Sequence, residues 1–260
     1  MTLPPRYSGY IFDLDGTIYL GDTLLPGAAA TISRLRAEGR RVVFLSNNPT
    51  HTVAQYAGRL TRLGLSTEPE DVINSSQVLV DWLSAEAPGC RVFVVGEQPL
   101  IDELRAAGFR IARDADAIDF VVASFDRTFA YEKLQIAFDA IRAGARFIAT
   151  NSDRYCPVPG GGEPDAAAMI AAISACTGVE VEVVVGKPSP IMARAVAQRI
   201  NIPLDRCIMV GDRLETDIAM GKAAGMATAL ALTGATTRAM LAGSPIAPEY
   251  VLERLDQLLD

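Results

Sequence analysis

An α/β fold on a parallel sheet is predicted for this chain of 260 residues. Short unbroken apolar runs alternate with stretches of helical character, and glycines stand where those stretches would end. Polar residues collect just beyond the apolar runs. Strands buried on both faces read as continuous apolar runs, and their alternation with helices implies right-handed parallel crossovers. Ligands on such sheets bind beyond the carboxyl ends of the strands, which is where the polar clusters lie.

The elements follow in order. Tyr10 to Leu14 is a short apolar strand. Pro26 to Glu38 reads as a helix with Ala28, Ile32 and Leu35 on one face, and Gly39 is placed to end it in a left-handed conformation. Arg41 to Ser46 is the next strand, and a helix ends near Gly64. Strand Arg91–Val95, a helix stopped by Gly108, strand Phe120–Ala123, a helix stopped by Gly144 and strand Arg146–Thr150 repeat the pattern. The alanine-rich stretch Asp165 to Cys176 is a helix closed by Gly178. Strand Val181–Val185, helix Pro190–Arg199, strand Cys207–Val210, helix Thr216–Ala224 with Gly225 after it, and strand Ala227–Leu232 complete the series. Loops around Pro88–Gly89 and Val179–Glu182 bracket a stretch with its own strands and helices, so an inserted domain is expected there.

Composition removes several classes of function. Lys plus Arg is 24, Asp plus Glu is 31, and the net charge is −7 with no basic run, which argues against nucleic acid as a partner. His51 is the one histidine, which excludes a Cys/His zinc cluster, a two-His metal site and most Ser-His-Asp arrangements. Cys90, Cys156, Cys176 and Cys207 lie far apart with no CxxC, as expected of reduced thiols in a cytoplasmic protein. Met1 to Ser8 lacks the apolar core of a signal peptide, and no run of about 18 apolar residues would cross a membrane.

Four clusters at strand ends carry the chemistry. The first strand runs into Asp13-Leu14-Asp15-Gly16-Thr17, where alternation sets Asp13 and Asp15 on the same side. Such close carboxylates repel unless a cation or a shared proton intervenes. The second strand ends in Ser46-Asn47-Asn48, a hydroxyl, amides and backbone N–H groups suited to an anion. Gly186-Lys187-Pro188 adds a fixed positive charge. Gly211-Asp212-Arg213-Leu214-Glu215-Thr216-Asp217 adds further carboxylates. Oxygen donors without His or Cys suit a hard ion, Mg²⁺ in particular. Singly, each cluster has a plainer explanation: a glycine turn, a helix cap or a loop. Together they provide a nucleophile, an acid/base, a metal site, donors and a cation, the parts that phosphoryl transfer needs.

These four clusters resemble the four motifs of the haloacid dehalogenase superfamily, whose members are mostly Mg²⁺-dependent phosphohydrolases. VVASFDRTFAYEKL from Val121, the run Ala149 to Asp153, Pro159 to Gly162, and VVVGKPSP from Val183 are similar to its NagD-like, p-nitrophenylphosphatase-type subclass IIA. The likeness covers essentially the whole chain. It implies a Rossmann-like doubly wound parallel sheet core, residues 1–79 and 181–260, and an inserted α/β cap, residues 80–180. It further implies Asp13 as nucleophile and Asp15 as acid/base, with Gly16 and Thr17 shaping their turn. Ser46 and the Asn47 backbone would bind phosphate, Asn48 would support that loop, and Lys187 would neutralise charge. Mg²⁺ would be held by Asp13, the Asp15 carbonyl and Asp212, with Asp217 orienting Lys187 or a metal-bound water.

The second carboxylate, Asp15, argues for an oxygen leaving group, since a halide departs without a proton. Hydrolysis of a small phosphate monoester is therefore expected. Transfer to another organic acceptor through the same intermediate, and a non-catalytic metabolite-binding protein on this scaffold, are the alternatives. The resemblance allows a homodimer, although no residue pattern here specifies one. The cap, as a separately packed unit, is expected to open and close over the site.

Overall fold

The computed structural model describes residues 7–259. Most of the stretch read for a leader, residues 1–6, lies outside the described residues. The chain begins with β1 (Gly9–Asp13), a small hairpin β2–β3 (Tyr19–Leu20, Thr23–Leu24), α1 (Ala28–Ala37), β4 (Arg41–Ser46) and α2 (Val53–Arg62). It continues through β5 (Val72–Asn74), α3 (Ser75–Glu86), β6 (Arg91–Val95), α4 (Gln98–Ala106), β7 (Arg110–Ile111) and β8 (Phe120–Ala123). Then come α5 (Tyr131–Arg142), β9 (Arg146–Ala149), the hairpin β10–β11 (Tyr155–Val158, Gly161–Pro164), α6 (Ala166–Thr177) and β12 (Val183–Val184). The rest is α7 (Pro190–Ile200), β13 (Cys207–Gly211), α8 (Ala219–Ala223), β14 (Ala227–Ala231), α9 (Arg238–Ala242) and β15 (Tyr250–Leu252).

Among the described residues a six-stranded parallel sheet has the order β15-β14-β13-β1-β4-β5. The chain leaves β1 for β4 on one side and later returns to β13 on the other, so strand order reverses at β1. That reversal opens a crevice at the carboxyl ends of β1, β4 and β13. Every residue of β1 is buried. Its side chains alternate between two apolar clusters: Ile11 joins Val43 and Leu45 on one face, Tyr10 and Phe12 join Phe44 and Val210 on the other. The helices expected on both faces are there: Ile32, Leu35, Tyr56 and Leu60 cover one side, Leu79, Met192 and Val196 the other. α2 starts at a capping box, in which the Thr52 hydroxyl and the Gln55 side chain satisfy each other's backbone N–H. The glycines read as helix stops, 39, 64, 108, 144, 178 and 225, all take positive φ.

A second parallel sheet, β12-β9-β8-β6-β7, is built from the middle of the chain. Val183–Val184 pairs with Ile148–Ala149, so this sheet reaches beyond the boundary expected at residue 180. The two units are not packed separately. One apolar cluster runs from Ile11 and Met209 through Leu79 and Leu83 of α3 into Val94, Leu100 and Val122 of the second sheet and its helix. Separate packing was expected from the pattern, which carries no record of which helix faces meet.

Other differences have local causes. β5 and β15 are three-residue strands, too short to stand out as apolar runs. The helix expected from Thr216 begins as a π-helical turn, Leu214–Ile218. There the Asp217 N–H donates to the Arg213 carbonyl while its carboxylate accepts from the Arg213 N–H. Such turns recur at functional sites.

Candidate active site

Asp13 is the last residue of β1 and is buried. Behind it the chain folds into a tight loop, with the Leu14 carbonyl accepting from the N–H groups of Thr17 (3.2 Å), Ile18 (2.9 Å) and Tyr19 (3.2 Å). Gly16 makes this possible with φ +90°, and a Cβ there would lie 2.4 Å from Asp212 Oδ2. The Thr17 hydroxyl donates to Asp13 Oδ2 at 3.3 Å.

Lys187 lies 174 residues away in sequence, yet its Nζ donates to Asp13 Oδ1 at 2.6 Å and to Asp217 Oδ1 at 2.7 Å. All three residues are buried. Burial works against the charge on Lys187, but the two carboxylates outweigh it and hold its pKa above the usual lysine value. Burial also pushes Asp13 up to about 7, with Lys187 opposing and Asp217 adding to the rise. Asp15, half-buried at the mouth of the site, is pushed up to about 6 by the protein around it, against the pull of Arg59, Lys187 and Arg213.

Asp212 follows β13. Its Oδ2 accepts from the Ala235 N–H at 2.5 Å, while its Oδ1 is buried without a partner. Burial drives its pKa well above the usual carboxylate range, and Asp13 and Asp217 add to that. One oxygen from each of Asp13, Asp212 and Asp217 lies within 4.8 Å of the others. Both Asp217 oxygens already have donors, Lys187 and the Arg213 N–H, so the unsatisfied oxygen belongs to Asp212. An all-oxygen set with an orphaned buried carboxylate oxygen fits a hard divalent cation.

At the end of β4, the Ser46 hydroxyl accepts from the Asn48 N–H at 3.1 Å and donates to the Tyr56 hydroxyl at 3.4 Å. The Asn47 side chain turns away, toward Lys187 and Asp153. Asn48 Oδ1 accepts from the Thr50 N–H and hydroxyl, closing the loop on itself. His51 pairs with the Thr50 hydroxyl at 3.0 Å, and burial lowers its pKa. The structure thus brings Asp13, Asp15, Ser46, Asn47, Asn48 and Lys187 around one pocket, with Thr17, Asp212 and Asp217 beside it.

Other residues here went unread in the sequence. Arg213, buried, donates to the Tyr155 carbonyl at 2.5 Å, with its guanidinium 4.7 Å from the ring centroid of Tyr155. Cys156 and Tyr155, on the hairpin β10–β11, reach the pocket from the second unit. Arg59 lies over the Tyr19 ring at 4.3 Å and donates to the Gly21 carbonyl at 2.7 Å. Beside the acids a cavity of about 500 Å³ opens between Asp15, His51, Arg59, Phe125 and Cys156. Arg213, directly after Asp212, and Arg59, on the helix that follows the anion-binding cluster, could have been suspected as cations; the hairpin carries no local signal.

A buried acid pair flanks this pocket. Asp165 accepts from Asn151 Nδ2 at 3.0 Å and from the Ala166 N–H at 2.6 Å. Burial pushes it up to about 7, and Asp153 adds to the rise. An acid whose folded pKa is raised favours the folded state below its unfolded value, and that contribution fades as pH climbs through the folded pKa. Asp165→Asn keeps the accepting oxygen and removes the titration. Between pH 5 and 8 the wild type should lose about 1–4 kcal/mol more stability than the variant, measurable by denaturant unfolding across that range.

Comparison with known proteins adds three kinds of likeness. The family profile described as haloacid dehalogenase-like hydrolase matches residues 10–110, and one described as HAD-hydrolase-like matches residues 184–258. The sugar-phosphatase AraL of Bacillus subtilis (strain 168) is 39% identical over 252 residues, 97% of this chain and 92% of the relative. The crystal structure of 4-nitrophenylphosphatase from Thermotoga maritima matches with a TM-score of 0.92 and 35% identity, over 97% of this chain and 96% of that one. A glycerol phosphate phosphatase of Mycobacterium tuberculosis, solved in complex with magnesium, matches with a TM-score of 0.88 and 33% identity, over 97% of this chain and 76% of that one. Among the described residues no helix is long and apolar enough to cross a membrane.

Proposed function

The chain belongs to the haloacid dehalogenase-like hydrolases, and from that premise we propose that it is a Mg²⁺-dependent phosphatase of small phosphate monoesters. The observation that carries this reading is the buried ammonium of Lys187 shared between Asp13 and Asp217, beside an acid with an unsatisfied oxygen.

The phosphoryl group lies at the end of β1, where the Ser46 hydroxyl, the Asn47 N–H and the Lys187 ammonium receive its oxygens. An oxygen of Asp13 attacks phosphorus, the bond to the leaving oxygen breaks, and Asp15 gives that oxygen its proton. A raised pKa suits Asp15 to carrying a proton near neutral pH. Water then attacks the phosphorus of the aspartyl-phosphate, and Asp15 takes the proton it gave. The bond between phosphorus and Asp13 breaks, releasing inorganic phosphate. Thr17 and Asp217 hold Asp13 and Lys187 in place, and Asn48 supports the phosphate loop. Asp13, the Asp15 carbonyl and Asp212 would hold Mg²⁺, which when bound neutralises charge on the phosphoryl oxygens.

Residues 80–180 serve as the cap, extended by the short strand β12 (Val183–Val184), and the core is formed by residues 1–79 and the chain after β12. The leaving group occupies the cavity of about 500 Å³ under it, whose walls set Asp22, Gln55, Arg59 and Arg127 beside Phe125 and suit a sugar or polyol. The relatives' names, sugar phosphatase and glycerol phosphate phosphatase, support that class. The free thiols fit a reducing compartment, the cytoplasm.

Phosphate release from p-nitrophenyl phosphate and a panel of sugar and polyol phosphates tests the reading. Turnover should need added Mg²⁺, stop on chelation with EDTA and return when Mg²⁺ is resupplied. Absence of turnover across the panel with Mg²⁺ present would remove it.

A further inference from the structure

Lys187 does not arise from the sheet that carries Asp13. It stands three residues after β12, which pairs with β9 in the second sheet. The Val185 N–H donates to the Ala149 carbonyl at 3.1 Å and the Gly186 N–H to the Thr150 carbonyl at 2.7 Å, prolonging that pairing. The ammonium must nevertheless meet Asp13 across the joint between the units. A lysine side chain is long and flexible, so its reach is only as well defined as its backbone.

The Asn47 side chain supplies that definition from the other side. The Lys187 N–H donates to Asn47 Oδ1 at 2.7 Å, and Asn47 Nδ2 donates to the Lys187 carbonyl at 3.1 Å. Nδ2 also donates to Asp153 Oδ2 at 2.9 Å. One amide thus grips both ends of residue 187 and a side chain of the second unit, all out of water. Asn47 stands two residues past Leu45, which lies beside Asp13 in register. The joint is tight as well: a Cβ on Gly186 would lie 2.5 Å from the Thr150 carbonyl oxygen and 2.7 Å from Asn47 Oδ1.

We infer that the Asn47 side chain is a positioning residue, which locks the Lys187 backbone to the strand beside Asp13 and so sets where the ammonium falls. This rests on the proposed hydrolysis and is separate from the phosphate contact of the Asn47 backbone N–H, which the substitutions below retain.

A double-mutant cycle on p-nitrophenyl phosphate hydrolysis with Mg²⁺ tests it. Asn47→Ala should lower kcat by about 10–100-fold with KM moving less than about 3-fold, the scale of a misplaced catalytic group. In a Lys187→Met background the same change should cost less than about 3-fold, because nothing remains to position. The same factor in both backgrounds would overturn the inference. Asn47→Ser removes the amide's reach to Lys187 and Asp153 without adding a charge; it should lose activity on the same scale as Asn47→Ala and serves if Asn47→Ala folds poorly. A crystal structure of either variant reads the placement without turnover. Lys187 Nζ should sit beyond about 3.5 Å from Asp13, outside hydrogen-bond range. An undisplaced ammonium would refute the role even if the protein proved not to be a phosphatase, whereas an inactive wild type would speak only against the hydrolase reading.

Discussion

Asp13→Asn should abolish turnover, by about 10⁴-fold or more, while the chelated protein becomes more stable. The activity loss follows from removing the attacking oxygen, and no neighbour can replace it: Asp217 is engaged with Lys187 and the Arg213 N–H, and the open oxygen of Asp212 is the one proposed to hold the cation. The stability gain follows from crowding. Without a cation, three buried carboxylates crowd together, two of them bonded to Lys187, and burial has already pushed Asp13 up to about 7. Ionising it as pH rises through that value costs folded-state stability, so the gain should be larger at pH 8 than at pH 5. An asparagine oxygen still accepts from Lys187. We expect about 1 kcal/mol, or roughly 2–4 °C in Tm, by thermal unfolding in EDTA. A variant that retains turnover, or melts well below wild type in chelator, contradicts this account.

Lys187→Met should also be nearly inactive but with the opposite effect on stability. Its ammonium bridges Asp13 and Asp217. Removing it leaves buried acids uncompensated, which typically costs about 3–5 kcal/mol. Loss of a charged group facing the transferring phosphoryl is worth about 10²–10³-fold in kcat. Denaturant unfolding and steady-state kinetics on one preparation check both. Equal stability of Lys187→Met and wild type at pH 8 would mean that the acids are not charged together in the folded chain.

Much of this was legible in the sequence because strand ends are local events. Asp13, Ser46 and Asp212 each follow an apolar run directly, and the sheet does the work of bringing them together. Arg41–Ser46, Arg91–Val95 and Phe120–Ala123 occur as predicted. What stayed hidden depends on contacts distant in the chain. The partners of the Asn47 amide are 106 and 140 residues away, and Arg213 finds Tyr155 across 58. The π-helical turn at Leu214–Ile218 reflects a single carboxylate capturing a backbone N–H, which hydropathy does not register. The sharing of apolar contacts between the two units was likewise invisible, since a helix with two buried faces looks like any hydrophobic helix.

That sharing decides where traffic can pass. Helix α3 contacts α7 on one flank and α4 on the other, and its leucines are sealed on both. Prising this edge apart would wet greasy surface at about 25 cal/mol for every square ångström. The opposite edge, where Arg213 meets Tyr155 and Asn48 meets Cys156, is fastened by polar contacts that water can replace. An opening of the cap, expected from the sequence, would therefore hinge at α3 and part the margin held by the β10–β11 hairpin, and substitutions that weaken that margin should speed product release in steady-state kinetics.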